Sequence, residues 1–405
     1  MTSNNRPDLK KSLLLIVLSF VLVAATPYAP VSAKPGNNLF ADLDYKTIDS
    51  KNSLIELAHS HAAQAIDSFY RLRHKLGGFN GTVMVAKDGK AIYQGAFGYG
   101  NFASHDSLST QSPIQLASVS KPFTATAILL LAEQGFFSLT DTLQTFFPEF
   151  PYPGITVEML LSHRSGLIDY SVLPAEYFGK GITNLTNEMV LNYFITKKPV
   201  LRTRPDRMFI YCNTNYALLA SIVEHTTNMS FKAFMDKFIF KPLEMNNSFV
   251  FDPTIDTITG TLSYDSRGKL WNNNIYDGVA GDKGIYSSAE DMLKWDNALR
   301  TGLVLTEETL RAAYTPRSLD KYSFVGEKDK NYGYGWRIAK QADKSTLIYH
   351  NGFWHGSNNV FARDINDGYT VIVLGNKSNQ GNYWTQPVWD VIGQLKNFSN
   401  LAEVQ

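Results

Sequence analysis

Apolar residues recur at helical spacing from Leu54 through Leu57, Ala58, Ala62, Ala65 and Ile66 to Phe69, which predicts an amphipathic helix near the start of the folded chain. The period then shortens to two. Gly81 to Ala86 and Ala91 to Gly95 alternate around Asp88-Gly89, the pattern of a β-hairpin. A second group of strands is predicted at Ser345 to Tyr349, Asn358 to Ala362 and Tyr369 to Leu374, with Asn366-Asp367-Gly368 turning between the last two and a helix following from about Trp389 to Phe398. The long middle reads as helices and loops, with helical spacing at Val157 to Leu161, Ala217 to Glu224 and Phe231 to Phe240. Ser287-Ser-Ala-Glu290 is expected to open a further helix as a capping box. Strands at both ends with helices between predict an α+β fold: an antiparallel sheet built from both chain ends, flanked by helices, with a mostly helical subdomain inserted. The expected division is an α/β part at about 51–150 and 275–400, and a helical part at about 150–275.

The first segment breaks this pattern. Lys10 and Lys11 precede an unbroken apolar run from Leu13 to Ala25, followed by Pro27, Pro30 and Val31-Ser32-Ala33. This predicts a secretory signal peptide over 1–33, cut after Ala33, and then a polar tether at about 34–50. The run is shorter than the roughly 20 residues of a spanning helix, so a retained anchor is the weaker alternative. Export to a periplasm or to the cell exterior follows, with no stable membrane insertion after cleavage.

Composition narrows the chemistry. The chain has 405 residues, with 38 Lys and Arg against 37 Asp and Glu, and 19% charged residues. It lacks the basic field that nucleic-acid binding requires, and with 44% hydrophobic residues it should bury a large core. The single cysteine, Cys212, permits no intrachain disulfide and no thiolate metal cage. His59 and His61 stand at i, i+2 on a helix and so point to different faces, which argues against a metal pair. No metal or cofactor is expected. The expected partner is a small-molecule or peptide substrate, and the oligomeric state is left open.

Ser118-Val-Ser-Lys121-Pro-Phe leads into an apolar stretch that ends at Gly135. Pro122 must sit in the first helical turn, which puts Ser118 to Lys121 at the helix entrance. At i, i+3 a hydroxyl and an amine come within reach, beside the unpaired N–H groups of a helix start. Taken alone, Ser118 reads equally well as an N-cap serine beside a surface lysine. The same spacing recurs at Ser266 and Lys269 and at Ser318 and Lys321, in polar, turn-rich stretches with no apolar helix behind them. A lysine ordinarily keeps its proton near neutrality, so Lys121 as a base needs apolar surroundings or a second titrating group. Tyr211, in Tyr211-Cys212-Asn213 ahead of a helix, is the candidate. The third piece is His350-Asn351-Gly352-Phe353 at the end of a predicted strand, where the glycine lets another backbone lie close. His350 by itself reads more readily as a hydrogen-bonded strand-end histidine.

In this order, Ser118-x-x-Lys121, Tyr211-x-Asn213 and His350-x-Gly352 resemble the serine β-lactamase and penicillin-binding-protein superfamily, and especially its class C-like branch. Asp141 to Glu149, Ile155 to Leu167 and Gly284 to Leu293 are similar to that branch's connecting segments, so the resemblance spans about residues 60–400. It implies a β-lactamase/DD-peptidase-like fold with Ser118 as the acylated nucleophile. Lys121 and Tyr211 would relay its proton, and Asn213, His350 and Gly352 would contact substrate. The backbone N–H groups of Ser118 and Phe353 would form the oxyanion hole. The implied activity is hydrolysis of a β-lactam, a D-alanyl peptide as in carboxypeptidases, or a small ester or amide. The alternatives are an esterase or D-amino-acid amidase, and a penicillin-binding sensor with little turnover. Where relatives carry lysine this chain has His350, so carboxylate recognition passes to another cation, for which Arg363 is the expectation. Ser120 is expected to face elsewhere, and Cys212 to be a small buried residue rather than a nucleophile. His163-Arg164-Ser165-Gly166 reads as a helix-ending turn and His355 as a loop histidine. Tyr170, Tyr177, Phe353 and Trp354 are candidates for an apolar substrate wall.

Overall fold

The computed structural model describes residues 51–256, 261–318, 330–341 and 344–404. The predicted signal peptide and tether, and Lys321, lie outside the described residues. None of the described helices is long and apolar enough to cross a membrane.

The sheet holds strands β1 (Gly81–Lys87), β2 (Lys90–Phe97), β3 (Lys330–Tyr332), β4 (Arg337–Lys340), β5 (Thr346–Trp354), β6 (Ser357–Asp364) and β7 (Tyr369–Gly375). Their order is β2-β1-β7-β6-β5-β4-β3, antiparallel throughout, so the predicted early hairpin joins the late strands through β1 and β7. β6 and β7 are buried at every position, which requires cover on both faces. Helix α1 (Lys51–Lys75) lies against β2 and pairs with the last helix of the chain, Gln386–Val404.

Between the two halves of the sheet run α2 (Ser120–Glu133), α3 (Asn187–Lys197), α4 (Asn213–Thr227) and α5 (Ala289–Arg300). Helix α2 is buried almost all round, with Phe123 stacked on Trp295 of α5 at 4.1 Å. It stops where Gly135 takes φ +76°, a left-handed C-terminal position that suits glycine. Two local expectations change. Ser288, not Ser287, caps α5 by accepting from Asp291 N, while the Glu290 carboxylate goes instead to Thr110 Oγ1 at 2.6 Å. β5 also runs on to Trp354, so His350 sits inside a strand rather than at its end.

Candidate active site

Three segments meet at Ser118. The first is a short turn, Ala117–Val119, that precedes α2. Ala117 holds φ +52°, a left-handed conformation an alanine adopts at a cost, and Ser118 stays partly exposed while its neighbours are buried. Lys121, one turn on, is fully buried. Its Nζ reaches Ser118 Oγ at 3.1 Å, Asn213 Oδ1 at 2.8 Å and the backbone oxygen of Asp282 at 2.8 Å. The amide and peptide oxygens can only accept. A neutral Lys121 amine that keeps both bonds therefore turns its lone pair to Ser118 Oγ. Of the two aids a base here would need, apolar surroundings or a second titrating group, the head of this lysine has polar partners on three sides and the Tyr211 ring at 4.9 Å.

The second segment is the start of α4. Cys212 is extended and caps nothing with its side chain; the Asn213 N–H is instead taken by the Asp169 carboxylate at 2.8 Å. Tyr211 lies beside Lys121, whose Nζ is 4.9 Å from the ring centroid, and the Arg337 guanidinium carbon is 5.5 Å from the same centroid. Cys212 is buried with its thiol near Leu167 O, and burial pushes that thiol up to about 12, which is no setting for a nucleophile.

The third segment is β5. Its pairing with β4 ends at Tyr349, and from there the strand passes the Ser118 turn. Because side chains alternate, His350, Gly352 and Trp354 share one face. A Cβ on Gly352 would lie 2.2 Å from Leu116 O and 3.3 Å from Ala117 Cβ, so the glycine is required by close approach of two backbones. His350 Nδ1 lies 2.7 Å from Asn351 O, an acceptor, so Nδ1 carries the proton and Nε2 accepts from Tyr332 OH at 3.1 Å. Burial first, then the charges of Arg337 and Lys121, hold His350 well below its ordinary value, so it is neutral. Phe353, whose backbone N–H is the one expected in the oxyanion hole, lies next on the strand with its side chain on the opposite, exposed face.

Several residues read otherwise from sequence belong to this neighbourhood. His163 does end a helical turn, but it is buried at φ +57° with its ring 4.3 Å from that of Tyr211, and its Nδ1 accepts from Cys212 N at 3.2 Å. Burial and the nearby Lys121, His350 and Arg337 keep it neutral. Ser165 and Asn215 join the same two segments at 2.6 Å. Asp169, Asp282 and Arg337 had no distinguishing pattern in sequence.

Other expectations fail or move. Arg363 is buried 2.6 Å from Asp296 and 2.6 Å from Tyr314 OH, a structural group rather than a carboxylate receptor. His355 is buried and paired with Asp277 at 2.9 Å, with Trp354 Nε1 on the same carboxylate. Tyr170 is fully buried with its hydroxyl on Asp282, and Tyr177 lines a surface cavity with Lys180 and Tyr193, so these two do not form a substrate wall with Phe353 and Trp354. Ser120 Oγ accepts from Ile285 N and faces away from Ser118, and Ser266 and Lys269 lie exposed in a turn.

The Beta-lactamase family matches residues 67–386. Penicillin-binding protein 4* of Bacillus subtilis (strain 168) is 31% identical over 331 residues, covering 75% of this chain and 70% of that protein. A D-aminopeptidase of Brucella anthropi is 28% identical, but the match covers 57% of this chain and 45% of the other. The crystal structure of a penicillin-binding protein from Bacillus halodurans superposes with a TM-score of 0.68 at 26% identity, over 80% of this chain and 98% of that one. With the family matched over most of its length and its fold shared, this chain belongs to the Beta-lactamase family.

Proposed function

We propose that the protein is an exported serine hydrolase that forms an acyl-enzyme on Ser118. The observation that carries this is the set of contacts made by Lys121: two acceptors fix its amine, and the remaining direction points at Ser118 Oγ. In the proposed reaction Oγ attacks a carbonyl while its proton passes to Lys121, and Tyr211, beside Lys121 and Arg337, hands a proton on to the leaving group. The oxyanion is received by the N–H groups of Ser118 and Phe353, at the turn and at the stretch of β5 beyond its pairing with β4. Water then repeats the sequence in reverse roles and frees the serine. Asn213 holds Lys121 and an amide of the substrate, while His350, being neutral, contributes a shaped polar wall and no charge.

The charged and neutral groups around Ser118 bear on the substrate class. Arg337, one strand over from β5, stands beside Tyr211, which supports a D-alanyl peptide or β-lactam whose carboxylate approaches from that side. The neutral His350 supports the second reading, a small ester or a D-amino-acid amide, and the Brucella relative is named a D-aminopeptidase. The purified protein is treated with a fluorophosphonate probe, a chromogenic cephalosporin, a D-Ala-D-Ala peptide and a p-nitrophenyl ester, following product and intact mass. An adduct on Ser118 that is lost in Ser118→Ala is expected. Full activity of Ser118→Ala on any of these substrates would overturn the assignment, and a lasting cephalosporin adduct without turnover would select the sensor.

A further inference from the structure

Behind Lys121 lies a charged pair that the proposed reaction does not use. Asp282 and Lys283 sit between Gly281 at φ +97° and Gly284 at φ +93°, on a loop pressed so close to α4 that a Cβ on Gly281 would lie 2.3 Å from Tyr216 O. Their side chains are 2% and 4% exposed and stand 3.3 Å apart. Tyr170 OH donates to Asp282 Oδ2 at 2.9 Å, Lys283 Nζ donates to Tyr170 OH, and the same ammonium lies 4.8 Å over the ring of Trp354. Asp282 Oδ1 has no hydrogen-bond partner among the described residues. The backbone oxygen of this same Asp282 is what holds Lys121 Nζ at 2.8 Å.

A buried ion pair of this kind contributes little net stability, so its place beside the reacting lysine calls for another account. The groups facing Lys121 can be sorted by charge. From α4 and the residues leading into it come Tyr211, Asn213 and Tyr216; His163 and His350 are neutral; Arg337 is a cation. The nearby carboxylates are Asp169, committed to Asn213 N and to Ser171, and Asp282. Left alone, the Asp282 carboxylate would stabilise Lys121 in its charged form and oppose transfer of the Ser118 proton. We propose that Lys283 is a positioning residue for the reaction: its buried ammonium neutralises Asp282 and so leaves Lys121 able to exchange its proton with Ser118. Burial holds the Asp282 carboxyl above its ordinary value, and Lys283 and then Lys121 oppose that rise without cancelling it, so both lysines act on the same carboxyl. The proposal rests on the role given to Lys121 above.

The test is the pH dependence of fluorophosphonate labelling, in which the Ser118 Oγ–P bond forms, the P–F bond breaks with loss of fluoride, and the Oγ proton passes to Lys121. Wild type, Asp282→Asn, Lys283→Met, Lys283→Arg and the Asp282→Asn/Lys283→Met double variant are compared. The acid limb of the labelling rate should move up by about half a pH unit or more in Lys283→Met, move down in Asp282→Asn, and return toward wild type in the double variant and in Lys283→Arg. Opposite shifts in the two single variants distinguish charge from lost packing, which would slow both without that sign change. Should Lys283→Met fail to fold, Asp282→Asn and the electrically balanced double variant still decide the matter. Coincident acid limbs across the series, or single-variant shifts of the same sign, overturn the proposal. A wild-type protein that takes no label on Ser118 would instead overturn the function proposed above.

Discussion

Gly352→Ala tests whether the approach of β5 to the Ser118 turn sets the reaction geometry. The added Cβ would sit 2.2 Å from Leu116 O, whereas comfortable carbon to carbonyl-oxygen contacts begin near about 3.3 Å, so roughly 1 Å must be found. Neither side yields easily. Leu116 O already accepts from Val119 N, Leu116 N is bonded to Ile285 O at 2.8 Å, and Asn359 of β6 holds Gln115 O at 2.8 Å. β5 is held in turn by its register with β6, in which Gly352 faces Asn359. A displacement of about 1 Å between a nucleophile and its oxyanion donors costs about 100-fold in rate, equivalent to about 2.7 kcal/mol. The strain of overpacking should remove about 1–3 kcal/mol of stability. Fluorophosphonate labelling gives the first quantity and urea unfolding the second. The expected result is a folded variant that labels about 100-fold more slowly; labelling within about threefold of wild type would refute the claim that this contact positions Ser118.

Two further outcomes are expected. Arg363→Met should lower stability by about 3 kcal/mol in urea unfolding, because a fully buried Asp296 loses one of its two arginines, while the preference for carboxylate-bearing over neutral substrates stays unchanged; a changed preference would return Arg363 to substrate recognition. The second concerns His163 and His350, whose folded pKa values are lowered from 6.5, so the unfolded chain binds more protons and stability falls with acidification below about 6.5, by up to about 1.4 kcal/mol per pH unit for each. His350→Asn should remove one histidine's share of that slope in unfolding measured between about pH 7 and 5, and an unaltered slope would show that His350 is not held neutral by the fold.

What was legible in the sequence is what local period and spacing encode. The hairpin β1–β2, the late strands and the apolar helix behind Ser118 each follow from a short window, and so does the reach of Lys121 to Ser118 at i, i+3. Bringing Tyr211, Asn213 and His350 to that point was not derivable from spacing; it came from resemblance, and the geometry is consistent with it. The partners that hold these residues stayed out of sight for a physical reason. Asp169 caps a helix 44 positions away, and Asp282 lends Lys121 a backbone oxygen from 161 positions away, a service any residue type could perform. Arg363 shows the converse. Its charge and its place on a hairpin near His350 suggested a ligand, but alternation along β6 does not say which buried carboxylate an arginine will meet, and Asp296 on α5 meets it first.

The same reasoning explains why the charges around Ser118 had to be read from the structure. Lys283 and Arg337 bring basic groups to the neighbourhood of Lys121, Asp169 and Asp282 bring carboxylates, and His163 and His350 remain neutral under burial. A sequence near overall neutrality says nothing about such a local balance, because its net charge of +1 sums over the whole chain. The placement does. Lys283 faces Asp282 at 3.3 Å, Asp282 holds Lys121 through its backbone oxygen at 2.8 Å, and Lys121 faces Ser118 at 3.1 Å, so each group touches the next. Under the proposed reaction, losing any one of these groups alters both the geometry and the protonation of the group after it. A change at Lys283 should therefore be felt at Ser118 even though Lys283 lies behind Lys121 rather than in the cleft.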